Sequence, residues 1–69
     1  MDKIYIRDEF IKLGQALKLA GLVESGSMAK EVILDGQVTV NGETELQRGK
    51  KIYEGDVIEF DGEQVLVCR

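Results

Sequence analysis

The sequence contains no histidine, no proline, no tryptophan and a single cysteine among its 69 residues. With no histidine, and with Cys68 alone near the C-terminus, the chain has neither a zinc-ligand set nor a partner for an intramolecular disulfide. We therefore expect no metal and no other cofactor. The sequence also shows no nucleophile–base pair, no P-loop and no dinucleotide fingerprint, so we do not expect an enzyme.

Aromatic residues are scarce as well, with two phenylalanines and two tyrosines. A chain of this length predicts one domain over residues 1–69, with a core of Val, Ile, Leu and Ala and no room for a deep substrate cavity. No apolar run is long enough for a signal peptide or a membrane helix. We expect a cytoplasmic monomer that binds neither a membrane nor a small-molecule substrate.

The net charge is −4, which argues against nonspecific binding to polyanions. The charges are segregated, however, because the carboxylates crowd the ends and turns while Arg48, Lys50 and Lys51 form an acid-free cluster. Phosphate neutralisation requires such clusters, since isolated surface lysines are mostly screened. The pattern predicts an acidic body with one basic face. A solvated loop that protects a sheet edge is the alternative for the same residues.

The first half of the chain predicts one strand and two helices. Polar and apolar residues alternate at 3–7, which indicates a short strand. Apolar residues then recur at helical spacing over 9–20, with Asp8 as the N-cap and Gly21 as the stop. A second helix is predicted to run from Ser25, its cap, to about residue 35, with a short link holding the two helices together.

In the second half the apolar period changes to two. Asn41-Gly42 and Asp61-Gly62 are turn signals, and the first is the strongest short hairpin signal. Short strands are expected at 38–40, 43–46, 57–60 and 64–68. This order predicts an α+β fold, with two packed helices against a small twisted antiparallel sheet of four to five short strands.

The start of the second helix is a candidate anion site. A helix start presents free N–H groups and a partial positive charge. Gly26 lets a phosphate approach the backbone, Ser25 and Ser27 add hydroxyl donors, and Lys30 supplies a full charge one turn later. The same residues also fit an ordinary serine cap followed by a solvated lysine, and spacing alone favours that interpretation because serine-capped helices are common.

Lys18 is a further candidate, on the first helix but outside its apolar stripe. Taken alone, it is interpreted by default as a solvated helix lysine. Tyr5 and Tyr53 stand in apolar, strand-like segments. We expect both in the core or at its rim rather than stacked on nucleic-acid bases.

Several features follow one another in a recognisable order: a helix containing Leu17-Lys18-Leu19, the helix opening SGSMAKEVI, the segment GQVTVNG, a basic loop and the turn GDVI. Together they resemble the RNA-binding domain named after small-subunit ribosomal protein S-four, and in particular its small stand-alone bacterial members. The resemblance covers essentially the whole chain. It implies the alpha-L fold, in which two helices and a hairpin form an L-shaped RNA-binding surface.

The resemblance also implies which residues face RNA. Carried over by position, the RNA-binding residues are Lys18, Ser25, Gly26, Ser27, Lys30, Arg48, Lys50 and Lys51. Gly26 is a departure, since many members have an arginine there, but the backbone phosphate site is unaffected. Members recognise ribosomal or transfer RNA largely through backbone shape. We therefore expect a module that binds structured RNA, linked to the ribosome or translation.

Two other functions remain open. The acidic total charge suits a protein-interaction module that docks its acidic body onto a basic partner. A Gly-Asp turn before the last strands is also typical of ubiquitin-like sulfur carriers. Those proteins resemble one another in a flexible Gly-Gly tail, whereas this sequence ends in Val67-Cys68-Arg69.

Overall fold

The computed structural model describes all residues, Met1–Arg69, as seven short strands and two helices. In chain order these are β1 (Asp2–Tyr5), β2 (Phe10–Lys12), α1 (Leu13–Leu19), α2 (Gly26–Leu34), β3 (Val38–Val40), β4 (Glu43–Thr44), β5 (Lys51–Tyr53), β6 (Val57–Phe60) and β7 (Glu63–Cys68). One sheet has the strand order β1-β7-β6-β3-β4, and β2 and β5 form a second, separate sheet. The helices and sheets share a core of 15 buried apolar residues, which confirms the α+β fold.

Helix α2 forms as the sequence predicts. The Ser25 Oγ accepts a hydrogen bond from the Met28 N–H at 3.1 Å, which satisfies one of the free donors at the helix start. Ala29 and Ile33 are buried on the inner face, and Gly36 ends the turn with φ of +76°. Neither helix of this structure is long and apolar enough to cross a membrane.

The prediction for the first helix was wrong at its start. Phe10–Lys12 is strand β2, and α1 begins only at Leu13, with Lys12 rather than Asp8 at the N-cap position and no side-chain cap. Pairing with β5 is the reason, because Ile11 lies opposite the fully buried Ile52. Tertiary pairing thus overrides the helical spacing of the apolar residues.

The prediction of a purely antiparallel sheet was also wrong, since β1 runs parallel to β7. Ile4 lies beside Val67, and the Ile6 N–H continues the ladder to the Cys68 carbonyl at 2.8 Å. Both isoleucines are buried, as their alternation predicts. Alternation reports only which face of a strand is buried, so it carries no information on the direction of its neighbour.

The hairpin at Asn41-Gly42 is confirmed, with φ of 52° and 85° at the two residues, as a type I′ turn requires. Strand β4 is shorter than predicted. After Thr44, the carboxylate of Glu45 accepts a hydrogen bond from the Gln47 N–H at 3.1 Å and turns the chain away from the sheet. This local turn sends the chain back toward the start of α1.

Candidate nucleic-acid interface

The basic loop, residues 48–51, is held against the start of α1 by its backbone. The Leu13 N–H donates to the Lys50 carbonyl at 2.9 Å, and the Gly14 N–H donates to the Arg48 carbonyl at 3.1 Å. The first N–H groups of a helix lack intrahelical acceptors, so these two carbonyls replace the missing side-chain cap. The loop therefore has a fixed position beside α1.

Gly14 lets the Arg48 side chain lie directly over the helix. A Cβ at residue 14 would stand 2.9 Å from the Arg48 Cγ and 3.7 Å from the Arg48 carbonyl oxygen. Real Cβ atoms do not approach other heavy atoms at the first of these distances. The absence of a side chain at Gly14 thus sets where the Arg48 side chain runs.

The connection between the helices brings the start of α2 close to the start of α1 and the basic loop. The Leu17 carbonyl accepts hydrogen bonds from both Leu22 and Val23, at 3.0 and 3.4 Å, and Gly21 turns the chain with φ of +75°. Leu17 and Ala29 are completely buried between the helices. The corner between α1 and α2 is therefore closed by both backbone hydrogen bonds and apolar packing.

These three elements surround an open groove of about 330 Å³, which we call the cationic groove. Its lining includes Lys12, Gly14, Gln15, Lys18, Gly26 and Arg48. Three of its side chains carry a positive charge and none carries a carboxylate. In a protein of net charge −4, this is a local reversal of the overall sign. A groove of one charge sign concentrates counter-ions of the opposite sign.

The cationic groove unites residues from each of the three candidate segments of the sequence, namely Lys18, Gly26 and Arg48. Ser25 lies at the same helix start, where its Oγ accepts the capping hydrogen bond and its hydroxyl hydrogen is free to donate. Ser27 is exposed in the first turn of α2, and Lys30 is exposed one turn later. Lys30 stands four residues after Gly26 and so extends the same side of the helix.

Lys50 and Lys51 lie elsewhere. They line a second groove of about 370 Å³, together with the carboxylates of Glu43, Glu45 and Asp56. The Lys51 Nζ also lies 4.8 Å from the centre of the Phe10 ring. Within this second groove the carboxylates outnumber the two lysines, which makes it a poorer place for a phosphate. The structure therefore divides the basic loop between two surfaces.

Two residues of the cationic groove, Lys12 and Gln15, were not among the sequence candidates. With Lys18 they recur every third residue along α1, which places them on adjacent turns of one helix face. That spacing was the signal in the sequence. In the structure Lys12 stands at the junction of β2 and α1, one residue before the helix begins.

A family model described as the S4 domain matches residues 4–68. The chain belongs to the S4 domain family. This finding confirms the resemblance derived from the order of helix openings and turns.

Two bacterial relatives are similar to this chain over most of their length. The probable ribosome maturation protein RlbA of Bacillus subtilis is 49% identical over 59 residues, which is 86% of this chain and 83% of RlbA. The putative RNA-binding protein YbcJ of Escherichia coli is 42% identical over 57 residues, which is 83% of this chain and 81% of YbcJ.

The solution structure of Escherichia coli YbcJ shows the same fold. It matches with a TM-score of 0.77 and 36% identity, and the match covers 100% of this chain and 89% of YbcJ. That structure is described as having an alpha-L motif involved in RNA binding. The alpha-L fold that the resemblance implied is therefore confirmed for this chain.

Proposed function

We propose that this protein binds structured RNA by placing the sugar-phosphate backbone in the cationic groove. One observation carries the proposal: Lys12, Lys18 and Arg48 converge on one open groove that contains no carboxylate. Phosphates bound there release counter-ions, which favours binding even though the whole protein is acidic. The similarity to RlbA, a probable ribosome maturation protein, and to YbcJ, a putative RNA-binding protein, supports this proposal, and the similarity to RlbA makes ribosomal RNA the first candidate.

The start of α2 adds direct hydrogen-bond donors to these charges. The N–H groups of Gly26 and Ser27 are the first in the helix and have no intrahelical acceptor. No atom lies within 4 Å of the place where a Gly26 side chain would begin, so a phosphate oxygen has access to the backbone. Anions bind at such helix starts, and here three cations face the same space.

The groove favours recognition of RNA shape over recognition of base sequence. Apart from Gln15, its polar groups are long cations and backbone donors, the groups that make most contacts to phosphates and riboses. Double-stranded RNA is recognised mostly in this way, through the spacing of its phosphates and 2′-hydroxyls. We propose that the protein acts as a binding module without a catalytic role, in the cytoplasm.

The proposal predicts a preference for folded RNA. In an anisotropy titration at low salt, a labelled RNA hairpin should bind more tightly than an unstructured RNA of the same length and charge. The physical reason is entropic. A duplex already has fixed phosphate spacing, whereas an unstructured strand loses conformational entropy when the groove orders it, and this loss weakens its binding. Equal affinities for the two RNAs would reject shape recognition.

Replacing Gly14 by alanine should separate binding from folding. The new methyl group would displace the Arg48 side chain, and loss of one such contact is worth about 0.5–1.5 kcal/mol, so we expect a roughly two- to tenfold weaker affinity for the hairpin. Alanine is the better helix former by about 1 kcal/mol, which offsets part of the cost of moving the Arg48 side chain, so the domain should stay folded.

The matched control is Gly49→Ala, in the same groove, where a Cβ would have no atom within 4 Å. This variant should bind the hairpin as the parent protein does. If Gly14→Ala melts normally and binds as well as Gly49→Ala, Arg48 does not act in the position that the structure gives it.

A further inference from the structure

A third groove, largely apolar, lies beside the cationic groove. It has a volume of about 290 Å³, and we call it the apolar groove. Five of its eight lining residues are apolar, among them Tyr5, Phe10, Ile11 and Leu19. Tyr5 is 66% exposed and Leu19 is 55% exposed, so Tyr5 lies outside the core, whereas the sequence favoured the core or its rim over base stacking. Single exposed apolar residues are common on protein surfaces, but here several of them share one concave site, and ligands bind at such sites.

The two grooves are continuous across α1, and Gln15 lines both of them. Lys18 is three residues later and belongs to the cationic groove, while Leu19 is four residues later and belongs to the apolar groove. On a helix, residues i+3 and i+4 lie on opposite sides of a line drawn along the helix axis from residue i. Lys18 and Leu19 therefore flank the line that starts at Gln15. A ligand that crosses α1 at Gln15 therefore passes from a charged surface to an apolar one.

We propose that the apolar groove holds an unpaired nucleobase of the RNA whose phosphates occupy the cationic groove, with the base stacked on the Tyr5 ring. This inference rests on the proposed function and adds the class of RNA, namely a duplex with an unpaired nucleotide next to it. Each ribose of an RNA strand carries its base to one side of the phosphate backbone. A strand whose phosphates lie in the cationic groove can therefore place a base across α1, in the apolar groove on the other side of Gln15.

The polar residues of the apolar groove favour a base over a phosphate or an apolar protein segment. Asp8 lines the groove, where a carboxylate repels phosphate but accepts hydrogen bonds from the amino group of a base. Arg7 lines it too, and arginine planes stack on bases. The groove volume of about 290 Å³ is just below the range of roughly 300–1,000 Å³ typical of sites for drug-sized molecules, which is room enough for one base.

The test compares a blunt RNA hairpin with the same hairpin carrying a short unpaired extension at either its 5′ or its 3′ end. We expect the parent protein to bind one of the extended hairpins roughly tenfold more tightly, as stacking of one base on an aromatic side chain predicts. Tyr5→Ala should lose this gain while binding the blunt hairpin normally. Tyr5→Phe, which keeps the ring, should retain the gain.

The control is Leu34→Ala, at an apolar residue that is 61% exposed and lines none of the three grooves. It should keep the gain from the extension. If neither extension improves binding, or if Tyr5→Ala and Leu34→Ala behave alike, the apolar groove is not a base site and a protein segment becomes the better occupant. Binding to the blunt hairpin would still support the proposed function in that case, whereas failure of the parent protein to bind any hairpin would reject both.

Discussion

Replacing Leu17 by alanine is expected to lower the free energy of unfolding by about 2–5 kcal/mol. Leu17 is completely buried at the corner between α1 and α2, and its carbonyl holds the two N–H groups that close that corner. Alanine leaves a cavity where the helices meet, because the neighbouring backbone is tied by these hydrogen bonds and cannot collapse freely. The same packing holds Lys18 near Gly26 in the cationic groove.

This loss is large for so small a domain. A 69-residue protein has a total stability of roughly 3–10 kcal/mol. Each kcal/mol shifts the melting temperature of such a domain by about 4–8 °C, so the Leu17→Ala midpoint should fall by more than about 8 °C. Thermal melting followed by circular dichroism measures this shift, with urea unfolding as a second measurement of the same quantity.

Leu19→Ala is the matched control, since it makes the same substitution two residues later on the same helix. Leu19 is 55% exposed, so its replacement should change stability by no more than about 0.5 kcal/mol. Similar melting temperatures for the two variants would mean that the α1–α2 corner is not packed as described here.

The sequence was most informative where structure depends on neighbouring residues. Helix α2 needs only Ser25 to cap its first turn and Gly36 to end its last, and both signals lie within the segment itself. The hairpin at Asn41-Gly42 likewise follows from the positive φ angles that these two residues tolerate. The cationic groove was partly predictable for the same reason, since Lys18 and Gly26 lie on helices whose faces the apolar spacing defines.

The errors arose where the structure depends on distant segments. Strand β2 exists because Ile11 meets Ile52, which is 41 positions later, and nothing in the local sequence shows that pairing. Strand β1 pairs in parallel with β7, the last strand of the chain. The relative direction of these two strands therefore depends on the complete fold. Both contacts are tertiary, and local spacing does not encode them.

In the basic loop, too, the local sequence does not show where individual side chains lie. Arg48 and Lys51 are three positions apart and look equivalent in the sequence. Arg48 lies over α1 because Gly14 gives it room, whereas Lys51 begins β5 and its side chain meets the Phe10 ring. The cationic cluster predicted phosphate binding, but only the structure distributes its charges between two grooves.

The effect of charge on RNA binding should depend on position rather than on net charge. Replacing Lys18 and Arg48 together by alanine removes two cations from the cationic groove, and replacing Lys3 and Arg69 removes two exposed cations that line none of the three grooves. The first variant should bind the RNA hairpin roughly 5- to 150-fold more weakly, at about 0.5–1.5 kcal/mol for each lost contact. The second should bind nearly as the parent does. Both should melt normally, because all four side chains are exposed.

Salt dependence of hairpin binding in these two double variants tests the central claim most directly. Each phosphate neutralised by the protein contributes about 0.7–0.9 to the slope of log K against log salt concentration. The Lys18/Arg48 variant should therefore have a slope smaller than the parent's by about 1.4–1.8, and the Lys3/Arg69 variant should keep the parent's slope. Equal losses of affinity and slope in the two variants would contradict phosphate binding in the cationic groove and leave only a long-range attraction between the protein and RNA.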